Sequence, residues 1–231
     1  VNNWIYPIDK GYVLIDTGYE SGFAHFKKQL AKMQIAPQQI RYIFLTHAHD
    51  DHAGYLNEVL SECPDLQIVM SDKALERLYR GQNSFHGGCT TKIALFFCYL
   101  MKFVGKGKHL FPSIKQEYQC RCIQVTEQNR KQVELLLQGK IIDTPGHTAD
   151  SISLLLNDGS LFCGDAAMNG LPSLHRITIW AEDKTAFLKS WETIIALRPN
   201  LIYPGHGKPF KDEDLKINLK RAKNMELLPI Q

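Results

Sequence analysis

At 231 residues and 44% hydrophobic content, the chain can bury a full core, and we read 1–231 as one soluble domain. A net charge of only +3 excludes an argument from overall charge for a nucleic-acid partner or an anionic membrane. The longest apolar stretch, residues 93–101, lies between Lys92 and Lys102 and is far shorter than the roughly 20 residues that a membrane span needs.

The sequence starts at Val1 with neither Met nor signal peptide, so an upstream piece could have been removed. Residues 4–8 and 12–15 read as a hairpin joined across Asp9-Lys10-Gly11. Asp16 follows the second strand; it either orients a ligating imidazole through the ring nitrogen facing away from the ligand or caps the turn before the next element. Over residues 21–33, Phe23, Phe26, Leu30 and Met33 recur at helical spacing, with Lys27, Lys28 and Lys32 opposite. The apolar run 41–45 is a buried strand, and residues 55–60 form a helix. Between them stands His47-Ala48-His49-Asp50-Asp51-His52-Ala53-Gly54.

Three histidines within six residues at a strand end have no packing reason to be there. In an extended segment residues two apart project to the same side, so His47 and His49 can close on one ion. Asp51 and His52 are then left for a second. Imidazole nitrogen with carboxylate oxygen suits zinc first, with iron or manganese as alternatives. Further along, 66–70 reads as a strand and 71–78 as a helix capped by Ser71.

Residues 81–117 form an insertion. Its centre, 91–104, is a helix apolar on nearly every side, and its lysines Lys92, Lys102, Lys106, Lys108 and Lys115 face a single acid, Glu117. Three roles fit: a lid that gives an acyl or anionic substrate an apolar wall and a positive rim, a homodimer contact, or core packing. His86 and His109 lack ligand spacing. The six cysteines show neither redox nor finger spacing, and two thiols at Cys120 and Cys122 are too few for a structural zinc, so a reducing cytoplasm is the simplest setting.

From 118 onward, strands are expected at 120–125, 133–137, 140–143, 151–156 and 160–163. Residues 168–176 have no regular pattern and start three residues after Asp165; His175 and Arg176 are the substrate-binding candidates there. Residues 183–197 form a helix with Phe187, Leu188, Trp191, Ile194 and Ile195 inward. Residues 201–203 make a strand, and 212–228 a charged amphipathic helix.

Three later motifs extend the histidine cluster: Thr144-Pro145-Gly146-His147-Thr148, Cys163-Gly164-Asp165-Ala166 and Tyr203-Pro204-Gly205-His206-Gly207. With His-x-His-x-Asp-His, they resemble the signature of the metallo-β-lactamase-fold hydrolases across nearly the whole chain. The resemblance implies an α/β sandwich (αββα) of two mixed β-sheets packed face to face, with helices outside and metals at one edge. It implies that His47, His49 and His147 hold one divalent ion, that Asp51, His52 and His206 hold another, and that Asp165 bridges them. It also places an Asp-Thr-Gly like Asp16-Thr17-Gly18 beneath the metals.

Water shared between two such ions is acidified toward neutrality, and the ions polarise the bond under attack, while Asp51 could steer the nucleophile or carry a proton to the leaving group. A bridging Asp165 resembles the glyoxalase II, lactonase and ribonuclease Z branches more than true β-lactamases. The tyrosine that lactonases place soon after it is absent, since Ala166, Ala167 and Met168 follow. We therefore expect a hydrolase of a small acyl substrate, thioester or ester ahead of lactone. The alternatives are a phosphodiesterase or nuclease of the same fold, and a metal-containing ligand-binding or regulatory protein with little turnover.

Overall fold

The computed structural model describes residues 1–105 and 107–230; Lys106 of the insertion and Gln231 lie outside the described residues. In chain order the elements begin with β1 (Trp4–Ile8), β2 (Gly11–Ile15), α1 (Phe23–Lys32), β3 (Ile40–Phe44), α2 (Asp50–Ala53), α3 (Leu56–Glu62), β4 (Gln67–Ser71) and α4 (Ala74–Arg80). Next come β5 (Gly88–Cys89), α5 (Lys92–Phe103), β6 (Cys122–Val125), α6 (Arg130–Leu137), β7 (Gly139–Asp143), β8 (Ile152–Leu156) and β9 (Ser160–Gly164). The series ends with β10 (Trp180–Ala181), α7 (Lys184–Leu197), β11 (Leu201–Pro204) and α8 (Asp212–Lys223). They fall into two compact units: Val1–Asn83 with Leu110–Gln138, and Ser84–His109 with Gly139–Gln231.

The first unit is built on a mixed sheet of order β1-β2-β3-β4-β6. β1 and β2 form the expected antiparallel hairpin, and β2, β3, β4 and β6 run parallel. Parallel strands deliver their C-terminal ends to one edge of a sheet. Asp16, after β2, and the histidine segment, after β3, therefore emerge side by side. Leu14, Ile43, Ile68 and Met70 from the strands, with Leu45 just past β3, pack with Leu30, Leu56, Val59, Leu60 and Leu78 from the helices, and burying each such side chain contributes about 1.5–3 kcal/mol.

The second unit has a mixed sheet of order β11-β9-β8-β7 and a two-stranded ribbon of β5 and β10. β9 and β11 are parallel, so Asp165 and His206, each just past a strand end, leave from the same edge. β8 is antiparallel to both β7 and β9, which brings the β7–β8 loop carrying His147 to that edge too. Helix α7 buries Phe187, Trp191 and Ile194; Asp183 caps it, its Oδ1 accepting from the Thr185 and Ala186 amides at 2.7 and 3.0 Å.

Three expectations need correction. Residues 133–137 are the end of helix α6, not a strand. A run of five with four apolar residues does not separate the two periods; here Val133 and Leu137, four apart, are buried while Leu135 is exposed. Ser71 ends β4 instead of capping a helix, and α8 stops at Lys223, not 228. Residues 84–109 of the insertion belong to the second unit, while 81–83 and 110–117 belong to the first, where an isolated bridge pairs Gln82 with Leu110.

Candidate metal centre

In the first unit, His47, His49, Asp51 and His52 are all buried at the C-terminal edge of the sheet. His49 is extended, and the chain then turns into α2, with the His52 and Ala53 amides donating to the His49 carbonyl at 3.0 and 2.8 Å. Asp51 and His52 thus project from a helical turn, where the sequence alone suggested only a turn of chain. Ring centroids of His47 lie 4.6 Å from His49 and 4.1 Å from His52. His47 offers a nitrogen within 4.8 Å of one on His49 and of one on His52, and Asp51 and His52 are related in the same way.

Asp16 takes the orienting role. It is buried, sits at φ 57°, and its Oδ1 accepts from the Thr46 amide at 2.7 Å. Its Oδ2 accepts from the Thr46 hydroxyl at 2.7 Å and from His52 Nδ1 at 2.8 Å. A carboxylate only accepts, so the proton of His52 sits on Nδ1 and the Nε2 lone pair is left for a ligand. The same logic extends one step further. With its own proton given to Asp16, the Thr46 hydroxyl accepts from His47 Nδ1 at 3.0 Å and leaves Nε2 of that ring as donor to a metal.

In the second unit, His147 and Asp165 are buried and His206 is partly exposed. Asp165 Oδ2 lies 3.7 Å from His147 Nε2 and 3.5 Å from His206 Nε2. His147 Nδ1 donates to the Trp180 carbonyl at 2.8 Å, with the Thr178 hydroxyl at 3.2 Å, so its Nε2 lone pair is again left for a ligand. The loop is pinned from both sides. Gly146 has φ 131°, and a Cβ there would lie 2.2 Å from the Phe187 amide nitrogen; its carbonyl accepts from the Glu182 amide at 2.8 Å. Thr148 and Ser151 close the turn through their hydroxyls at 2.7 Å.

These spacings fit a metal. Two donors at about 2.0–2.1 Å from one tetrahedral zinc are separated by about 3.4 Å. The 3.5–3.7 Å between Asp165 and its two imidazoles, and the 3.7 Å between Asp51 Oδ1 and His52 Nε2, are close to that figure and too long for hydrogen bonds. Neither cysteine-rich nor all-oxygen, the donor set suits zinc, iron or manganese.

The substrate-binding candidates fare differently. Arg176 is held: Nε and Nη2 bond Asp214 Oδ2 at 2.9 and 2.8 Å, Nη1 bonds Asn169 Oδ1, and the guanidinium lies over Phe210. His175 is exposed, with Arg221 Nη1 2.6 Å from its Nε2. Both residues have positive φ, 60° and 66°. Thr46, Thr178, Trp180 and Glu182 were not singled out from sequence. Two of them act through backbone carbonyls or amides, which no side-chain pattern reveals.

A set of histidines and aspartates at the edges of mixed sheets, with His47, His52 and His147 each turned by a second bond, defines a metal-binding α/β protein. The family model of the metallo-β-lactamase superfamily matches residues 1–206, and the chain belongs to that superfamily and has its fold. A beta-lactamase-like protein 2 homolog of Drosophila melanogaster is 25% identical over 221 residues, which cover 94% of this chain and 63% of that protein. A hydroxyacylglutathione hydrolase of Nitrosococcus oceani is 25% identical over 193 residues, 81% of this chain and 56% of that one. The chain thus spans roughly three-fifths of the length of these curated relatives. Among solved structures, TTHA1623 in a di-iron-bound form superposes with a TM-score of 0.62 at 20% identity, covering 94% of this chain and 91% of the other.

Proposed function

We propose that the chain is a dinuclear metal-dependent hydrolase of a small acyl substrate, a thioester or ester ahead of a lactone. The observation that carries this reading is the place of Asp165, one carboxylate oxygen flanked by the Nε2 atoms of His147 and His206 at 3.7 and 3.5 Å. Those spacings support a bridge between two ions. In this reading His47, His49 and His147 hold one ion, Asp51, His52 and His206 the other, and zinc is the first choice. Family membership supports the pairing, and the similarity to a hydroxyacylglutathione hydrolase supports an acyl bond over a phosphoryl one.

Two divalent ions, when bound, supply Lewis acidity toward the scissile bond and acidify water at neutral pH. The protein's own residues do the rest. Asp16 and Thr46 fix the tautomers of His52 and His47, and the Trp180 carbonyl fixes that of His147, so the donors are already oriented. Asp51 carries a proton to the leaving group. His175, exposed and held by Arg221, is the substrate contact; Arg176, bound to Asp214, holds that loop in place.

The test compares hydrolysis of a matched aryl ester and aryl phosphodiester by zinc- and manganese-loaded protein, with Asp165→Asn as the blank. Faster ester cleavage that disappears in the blank is expected. Phosphodiester preference would replace the acyl reading with a nuclease or phosphodiesterase. Tight metal binding without cleavage of either would favour a ligand-binding protein.

A further inference from the structure

Helix α5 does not bury itself. Its inner side is seated in the second unit through buried Ala94 and half-buried Phe97, Cys98 and Met101, and Thr91 caps its start by accepting from the Ala94 amide at 3.0 Å. The strand before it is tied on both sides, Cys89 pairing with Trp180 in β10 and exchanging two 2.8 Å backbone bonds with Leu228. A firmly mounted helix therefore presents its other side to solvent. Ile93, Phe96, Leu100 and Phe103 follow one another at helical spacing along that side, Val104 continues it, and Phe96 and Phe103 are 71% and 89% exposed. A contiguous apolar stripe of this kind on a soluble protein marks a contact surface.

Charge identifies the occupant. Ser84–His109 contains four lysines and neither Asp nor Glu, although the whole chain is nearly balanced with 27 basic and 24 acidic residues. Lys92 lies one turn before Phe96 and borders the stripe directly, while Lys102 lies one turn after the exposed Tyr99 and flanks the stripe through it. Both are exposed. A second copy docked through the same face would bring these lysines toward their own counterparts, because a two-fold contact apposes identical patches. A surface that is apolar in depth and negative at its boundary satisfies both features. With 12 residues the helix is about 18 Å long, too short to span a bilayer and suited to lying in its interface.

We propose that the exposed face of α5, bordered by Lys92 and Lys102, docks this protein onto an anionic lipid surface. The phenylalanines enter the acyl boundary while the lysine stems reach back to the headgroup phosphates. The proposal does not depend on the metal site or on turnover.

The experiment is co-sedimentation of the 231-residue chain with vesicles of phosphatidylcholine alone and of phosphatidylcholine mixed with phosphatidylglycerol, at low and high salt. Binding is expected to the mixed vesicles, with loss at high salt. Phe96→Ser with Phe103→Ser should weaken it by on the order of tenfold per residue, and Lys92→Gln with Lys102→Gln by about fivefold per residue. Because these side chains are exposed, the melting temperature should not move, and Phe103→Ser alone provides a milder variant. Equal affinity for both vesicle types, no binding to either, or a phenylalanine variant that binds like the parent would each overturn the proposal. So would a dimer in sedimentation velocity that the phenylalanine variant dissociates, since a second copy would then cover the face.

Discussion

The two units present candidate metal ligands by different means. In the first, four ligands lie within residues 47–52, and their support is a side-chain relay: His47 to Thr46 to Asp16, with His52 on the same Asp16 oxygen. In the second, three ligands come from three loops, gathered by the parallel pairing of β9 with β11 and the antiparallel turn from β7 to β8. Support there is mostly backbone, from the Trp180 carbonyl to His147 and from the Gly146 carbonyl to the Glu182 amide. Local sequence gathers the first half of the candidate ligands and sheet topology gathers the second. A relay of side chains can be broken by one substitution, whereas a backbone carbonyl is lost only with its strand.

The largest expected effect falls on the second half. Asp165→Asn keeps the shape and removes the charge that two imidazoles flank; we expect one of two ions to be lost from metal analysis and turnover to fall by about three orders of magnitude or more. Unchanged metal content and rate would remove Asp165 from the bridging position. Next comes the support of the first half. Asp16→Ala takes the acceptor from His52, the Thr46 hydroxyl and the Thr46 amide together, and should lower metal affinity by about 10- to 100-fold. Thr178→Val, in the second unit, leaves the Trp180 carbonyl on His147 and should cost less than Asp16→Ala in the same titration. Equal losses from the two would erase the distinction between side-chain and backbone support. Chelation tests both halves at once: removing metal bound at about a thousandfold over its Kd withdraws about 4 kcal/mol, read as a lower melting temperature restored by added zinc. A melt indifferent to chelator would mean that no tight site exists.

What the sequence makes legible follows the same division. His47, His49, Asp51 and His52 were readable without any fold because one strand end carries them all. Period-2 and period-3.6 patterns found the hairpin, β3, β4 and α7 within a residue or two. His147, Asp165 and His206 stand far apart in sequence, and only the resemblance to the family's motifs joins them; the register of β8, β9 and β11 supplies the physical reason. Residues 133–137 were misread because burial of Val133 and Leu137 is a tertiary fact, and Leu-rich runs carry no period of their own. The Trp180 carbonyl and the Glu182 amide act through the backbone and leave no trace in residue type. Helix α5 is the opposite case: its composition admits a lid, a dimer contact or core packing, and the fold leaves one side uncovered.

The smallest expected effect concerns the first unit alone. Burial pushes the Tyr6 and Tyr55 phenols well above their usual value, and the Cys122 thiol, also by burial, up to about 11. In each case the folded state keeps a proton that the unfolded chain releases, near pH 9 for the thiol and near pH 10 for the phenols. Their contribution to stability is therefore complete below those values and declines as pH rises through the window above them. Tyr6 is the sharpest probe, because its hydroxyl is buried and donates to the Leu137 carbonyl at 2.8 Å, linking β1 to the end of α6. Tyr6→Phe should cost about 0.5–1.5 kcal/mol at neutral pH, through the lost hydrogen bond and the carbonyl left behind. Above pH 10 the variant has no phenol to ionise, so the gap between variant and parent should narrow as the parent loses stability. Parallel melting curves for the two proteins from neutral pH to pH 11 would show that the Tyr6 phenol is not held in its protonated form by the fold.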